Sequence, residues 1–175
     1  MVKKKSIYGR CFNPEGNQSS IFRINNLTQE DQSYPKIAMN KRGQFVVVWD
    51  NYGNHTIYGQ VFGPNCTKIG VEFIVGYHLY VHYPVFNIDM LESGDFIVVW
   101  QDLTSDFLRD VSYGQKFHSS GGKINENFTI SSTSKIKHPN VKFLNENKYV
   151  LSWTNFGRDK YYHGIFAQIY DINGN

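Results

Sequence analysis

Apolar and polar positions alternate along most of this chain with a period of two, in short runs separated by turn residues. The clearest run, GQFVVVW at 43–49, returns as GDFIVVW at 94–100 and, altered, as NKYVLSW at 147–153. In the first, Phe45, Val47 and Trp49 share one face while Val46 and Val48 share the other. A strand apolar on both faces requires cover on both. A second pattern, IYGRCF at 7–12, recurs as IYGQVF at 57–62, SYGQKF at 112–117 and IFAQIY at 165–170. Turn residues follow each one, and the first three then lead to IFRI (21–24), EFIV (72–75) and NFTI (127–130). Pro35, Pro84 and Pro139 each open one more strand before the next Trp-ending run, at a position where a missing amide donor is tolerated. No stretch of helical length carries a sustained 3.6-residue stripe, so very little helix is expected.

The repeat closes with a period of roughly 50–55 residues, in the range of propeller-type repeats. One unit holds a Pro strand, a Trp strand, a YGQ strand and an EF strand. The expected fold is therefore all-β: a β-propeller-type repeat of four-stranded antiparallel blades. A sandwich or barrel is the competing all-β arrangement, but strict repetition of a four-strand unit favours blades. A single domain over 1–175 is expected, with repeats at about 7–49, 57–100 and 112–153 and a partial one at 163–175. Counting gives about three blades, fewer than the four to eight of typical closed propellers. The YGQ strand also stands at both ends. Either a longer parent chain or a second copy is expected to complete the ring, a six-bladed homodimer being the simplest closure, since open edges invite aggregation.

The GxFVVxW and IYGQxF patterns, with the G-containing turn, the EFxV segment and the Pro strand, resemble repeats of large bacterial surface and secreted proteins. The resemblance runs from Ile7 to Asn175 and weakens in the third unit, where Asn147 and Ser152 depart from it. It implies a propeller-like module in an extracellular protein and carries over no catalytic residue.

Composition narrows the functional classes. The chain has 175 residues, 16% aromatic, and a formal charge of +3, with Lys and Arg scattered among acids apart from a solvated Lys3–Lys4–Lys5 end. Nucleic-acid binding would concentrate that charge on one face, so no nucleic-acid partner is expected. Nor is membrane insertion, since no apolar run reaches about 18 residues. Cys11 and Cys66 are far apart and form no motif; they are expected to be inert thiols. No signal-peptide h-region follows the lysines, whereas N-x-S/T sequons stand at Asn17, Asn26, Asn54, Asn65 and Asn127. A piece of a longer secreted chain would reconcile the two, at the cell surface or outside the cell.

Candidate chemistry gathers at one end of the expected blades. There lie Tyr34, Tyr83 and His138, each just before its Pro, and Asp50, Asn51, Asp102, Asn155 and Asp159, each just after a Trp strand. Rings, amides and carboxylates on rigidly held loops suit a glycan or protein ligand, although Asp and Asn also cap turns with no ligand. The expected role is a non-catalytic binding or scaffolding module. The alternative is a glycosidase-like hydrolase using Asp50 and Asp102, placed at equivalent positions on neighbouring blades and requiring a separation of roughly 5–9 Å. His78 and His82 are four apart but lack a third ligand, and the aromatic segment around them reads better as a contact patch. DINGN at 171–175 resembles the start of a calcium loop but has no following Glu and reads as a hairpin turn. No metal and no cofactor are expected.

Overall fold

The computed structural model describes residues 4–13, 15–79, 84–103, 110–130, 136–156 and 163–174. Among these residues every regular element is a strand, in four antiparallel sheets. The first is a ribbon of β1 (Tyr8–Gly9) and β2 (Phe22–Arg23). The second sheet runs β3 (Gln32–Met39), β4 (Phe45–Asn51), β5 (Thr56–Phe62) and β6 (Lys68–Tyr77). The third runs β7 (Phe86–Met90), β8 (Phe96–Leu103), β9 (Asp110–Phe117) and β10 (Lys123–Thr129). The last holds β11 (Ile136–Asn145), β12 (Lys148–Phe156) and β13 (His163–Asp171). Both complete sheets thus follow the expected order of Pro, Trp, YGQ and EF strands. The ribbon is a YGQ–EF pair, and the last sheet lacks an EF strand among the described residues.

Register confirms that the repeat is structural. Trp49 pairs with Tyr58, Trp100 with Tyr113 and Trp153 with Phe166, the same place in each sheet. Four residues before each Trp, Phe45 stacks on Phe62 at 4.8 Å, Phe96 on Phe117 at 4.9 Å and Tyr149 on Tyr170 at 5.6 Å. Such cross-strand aromatic pairs are what holds an antiparallel pair in one register. The sheets then stack face to face. Val46, Val48, Ile57 and Val61 meet Phe86, Ile88, Met90 and Trp100 between the second and third sheets. Ile97 and Val99 meet Val141, Tyr149 and Leu151 between the third and last. Ile7 and Ile24 of the ribbon region cover Phe45, Val47 and Trp49. All of β4 is buried, as its apolarity on both faces requires. The first strands β3, β7 and β11 are neighbours, so the sheets fan from a shared line.

The YGQ motif has a mechanical explanation. A Cβ on Gly59 would come within 2.6 Å of the Phe73 ring, and Gly114 lies under Phe128 in the same way. Only Gly lets the EF-strand Phe lie flat across its neighbour. Gln60 Nε2 donates to the Val61 and Ile69 carbonyls, and Gln115 Nε2 to those of Lys116, Ile124 and Asn125. In both sheets the glutamine satisfies carbonyls at the register shift of the EF strand, which would otherwise be buried without donors.

Two expectations are corrected here. Pro35 and Pro139 do not open their strands: β3 and β11 begin three residues earlier, and each Pro follows a bulge at Tyr34 or His138. The bulge takes the ladder out of register where the Pro nitrogen has no hydrogen to give. The cysteines are not thiols: Cys11 and Cys66 form a disulfide, Cα atoms 6.6 Å apart, joining the ribbon to the β5–β6 turn. Their separation of 55 residues hid a proximity that only the stacking of two repeats produces. DINGN is a turn, as expected: Gly174 N donates to Asp171 O and Asn173 N to the Asp171 carboxylate. No helix among the described residues is long and apolar enough to cross a membrane.

Candidate functional site

Several of the loops singled out from the sequence lie at one end of the sheets. Gln32 pairs with Asn51 and Thr56 with Tyr77, so the start of the Pro strand, the Trp–YGQ loop and the end of the EF strand lie together. Tyr34 and His138 occupy matching bulges there, with φ of 53° and 55°. This left-handed backbone turns both side chains outward, and both are exposed. The His138 amide is anchored by donating to Gln101 Oε1 at 3.1 Å. Tyr52, in the adjacent loop, is also exposed, with its ring 6.2 Å from that of His55. Asn155 is half-buried on β12. Tyr83, His82 and Asp159 lie outside the described residues.

The carboxylates do something other than expected. Asp50 and Asp102 are not equivalent: Asp50 follows Trp49 directly and pairs with Ile57, whereas Asp102 is two residues past Trp100 and pairs with Val111. Asp102 corresponds to Asn51, and Asp50 to Gln101. With a side-chain period of two, a one-residue offset puts them on opposite faces of their strands.

Both are also buried and occupied. Asp50 Oδ1 lies 2.7 Å from His78 Nε2, the two side chains 1% and 2% exposed. Asp102 Oδ1 accepts the Leu79 amide at 2.6 Å. The His78 amide in turn donates to the His55 carbonyl at 3.0 Å. Residues 78 and 79 are therefore held from both sides, by a carboxylate of the second sheet and one of the third. Asn51 Oδ1 accepts from the amides of Gly53 and Asn54, ordinary turn capping.

His78 as the partner of Asp50 was not anticipated. The signal was present, a lone His at the end of an EF strand, but a 28-residue separation gives no sequence rule for pairing it. No group of three or more His, Cys, Asp or Glu able to hold a metal occurs among the described residues.

A second polar cluster lies between the third and last sheets, around a cavity of about 220 Å³ lined by Lys116, Phe128, Tyr149 and Tyr170. Lys116 Nζ donates to the Ile172 carbonyl and stands 5.9 Å and 5.5 Å from the Phe128 and Tyr149 ring centroids. Burial lowers its pKa, against the pull of Asp171. Burial likewise pushes the Tyr149 phenol up to about 12, helped by Tyr170 and Asp171. With its donor and its rings satisfied, Lys116 clamps the last turn to the third sheet.

Among solved structures, the chain is similar to an endo-arabinase from Bacteroides thetaiotaomicron, with a TM-score of 0.50 and 14% identity over 91% of this chain and 63% of that one. It is also similar to KlHsv2 with loop 6CD replaced by a Gly-Ser linker, with a TM-score of 0.44 and 15% identity over 79% of this chain and 46% of that one. The chain thus spans less than two thirds of either. The likeness to the arabinase and the sheet order together define the class: an all-β, β-propeller-type fold of antiparallel four-stranded sheets. No family model matches the chain, and no curated protein matches it.

Proposed function

We propose that this chain is a non-catalytic binding module of about three propeller blades that contacts a glycan through the Tyr34–Tyr52–His138 end of its sheets. The observation that carries this reading is the division of labour at that end. Aromatic and imidazole rings face solvent, while the carboxylates a hydrolase would need are turned inward and hold the inter-sheet segment at residues 78 and 79. Rings on a rigid scaffold stack on sugar faces at little entropic cost. The arabinase with a similar fold is itself glycan-related. An extracellular setting is supported by the Cys11–Cys66 disulfide, a bond that persists in oxidising compartments, and by the exposure of all five sequon asparagines.

The test is a polysaccharide and glycan array probed with the parent, Tyr34→Ala and Tyr52→Ala. Binding that falls about tenfold or more in either variant is expected, as for loss of one stacking contact of about 1.4 kcal/mol. Silence across the array transfers the reading to a protein ligand. Glycoside hydrolysis by the parent, lost in Asp50→Asn and Asp102→Asn variants that still fold, replaces it with the hydrolase.

A further inference from the structure

The repeat allows one seam between sheets to be compared with the next. Between the second and third sheets, Val61, Phe96 and Phe117 are fully buried in one apolar cluster. The Phe73 ring packs on them, 6.0 Å from Phe96 and 5.4 Å from Phe117, and a Cβ on Gly121 would meet it at 2.8 Å. Strand pairing fixes the matching places between the third and last sheets. Lys116 pairs with Ile97 and Ile124 as Val61 pairs with Val46 and Ile69. Tyr149 pairs with Tyr170 as Phe96 pairs with Phe117. Phe128 lies over Gly114 as Phe73 lies over Gly59, and Gly174 closes its turn as Gly121 does. Three apolar side chains of the first seam are thus replaced in the second by an ammonium and two phenols.

That replacement opens a space. The Lys116 ammonium stands between the Phe128 and Tyr149 rings, where in the first seam the two equivalent rings meet directly. A Cβ on Gly174 would meet nothing nearer than the Tyr149 hydroxyl at 3.8 Å. The result is the cavity of about 220 Å³, which Asn125, Thr129 and Asn173 line beside the lysine and the rings. Its walls come from β9, β10, β12, β13 and the last turn, and the same places in the first seam are all filled, so side chains and not missing strands make the space. One hydrogen of the ammonium goes to the Ile172 carbonyl, out of three that a lysine carries. Among the described residues no carboxylate forms an ion pair with it. Asp171 accepts the Asn173 amide instead, and Glu126, the acid in the lining, is exposed to solvent. A half-buried cation with no paired anion is costly, and a bound carboxylate removes the cost.

We propose that this cavity binds one uronic acid, a sugar ring bearing a carboxylate. The carboxylate meets Lys116 and the Tyr149 and Tyr170 hydroxyls, and the ring lies along Phe128 with its own hydroxyls toward Asn125 and Asn173. The cation and the two phenols supply donors where an anion needs them, and the amides and the apolar ring suit the two faces of a sugar. The volume falls below the roughly 300 Å³ at which pockets for larger ligands begin, so it holds a single ring. The cavity lies at the opposite end of the sheets from Tyr34 and His138, and the proposal does not depend on the binding face described above.

Isothermal titration of the parent with galacturonate, glucuronate, galactose and acetate tests the site. At least one uronate is expected to bind about tenfold or more tighter than galactose and than acetate, as for one charge-assisted hydrogen bond. Lys116→Met, which keeps the length and removes the charge, should lose about that factor. Tyr170→Phe should lose about threefold or more, for a neutral hydrogen bond. If Lys116→Met alters the circular dichroism, Tyr170→Phe alone decides. In the parent, the bound uronate should shift the NMR resonance of the Lys116 ε-methylene. No uronate binding at millimolar ligand, galactose or acetate binding as tightly as the uronates, or affinity unchanged in a folded variant overturns the proposal. The array test above turns on Tyr34 and Tyr52 at the far end. A silent array with a lysine-dependent uronate titration, or the reverse, therefore separates the two sites.

Discussion

At the scale of single residues, the Asp50–His78 pair shows how chemistry-bearing side chains become structural ones. Removing one partner leaves the other polar and buried, which costs far more than the pair contributes over an apolar substitute. His78→Ala is expected to lower unfolding free energy by about 3 kcal/mol in denaturant titrations, and a change below about 0.5 kcal/mol, ordinary for surface sites, would contradict the clamp. Glycine in the YGQ motif makes the opposite case, a side chain that must be absent. Gly59→Ala forces the Phe73 ring aside and should cost about 1–3 kcal/mol. The repeat itself offers the control: Ala167 stands at the equivalent place in the last sheet, which has no EF strand among the described residues to lay a Phe over it. Ala167→Gly should therefore cost no more than about 1 kcal/mol, the ordinary entropic penalty. Equal effects at the two sites would refute the steric account.

Tyr149 adds a pH signature. Its folded pKa, raised to about 12, exceeds the usual 10, so the folded state holds the proton more tightly than the unfolded one. The stability it contributes is complete below pH 10 and is lost as pH climbs toward 12. Tyr149→Phe should flatten that part of the stability–pH curve, and an unchanged slope would remove the burial argument.

At the scale of elements, the weakest is the ribbon. Two residue pairs join β1 to β2, and a hairpin this short is not stable alone. Its hold comes from Ile7 and Ile24 on the second sheet and from the disulfide. Closing a loop of 55 residues is worth about 4 kcal/mol on the chain-entropy model. Cys66 also occupies a turn position with φ of 60°, where the other turns place Gly16, Gly43, Gly94, Gly121 and Gly174. A non-Gly residue there is strained by about 1–2 kcal/mol. Cys66→Gly loses the bridge but relieves that strain, so it should be more stable than Cys11→Ser by about 1 kcal/mol. Thermal unfolding of the two variants measures this, and the reverse order would sink it.

The strands, turns and order of elements were legible because each is written locally: alternation of two, a Gly at a left-handed turn, an aromatic at each end of a pair. The bulges were not. Pro35 and Pro139 read as strand openers, and only the pairing of β3 with β4 and of β11 with β12 shows the ladder starting earlier and stepping around them.

At the scale of the molecule, burial is graded from the middle outward. The Trp strands β4 and β8 of the second and third sheets are buried on both faces, while β3 shows Ile37 and Met39 and β13 shows Ile165 and Ile169 to solvent. Local opening free energy follows buried contacts, so amide exchange should be slowest in β4, β5, β8 and β9 and fastest in β1, β2 and β13. Uniform protection across the chain would show that the ends are not open in solution.

What the sequence determined by itself is the repeating unit, because short-range periodicity dictates which residues can share a face and where the chain must turn. The candidate end of the sheets followed from strand order alone. Tertiary structure decided which of those residues face solvent. A one-residue offset sent Asp50 and Asp102 to opposite faces, a distant histidine closed over one of them, and stacking brought Cys11 to Cys66. Those outcomes depend on contacts between residues far apart in the chain, and such contacts exist only once neighbouring sheets have packed.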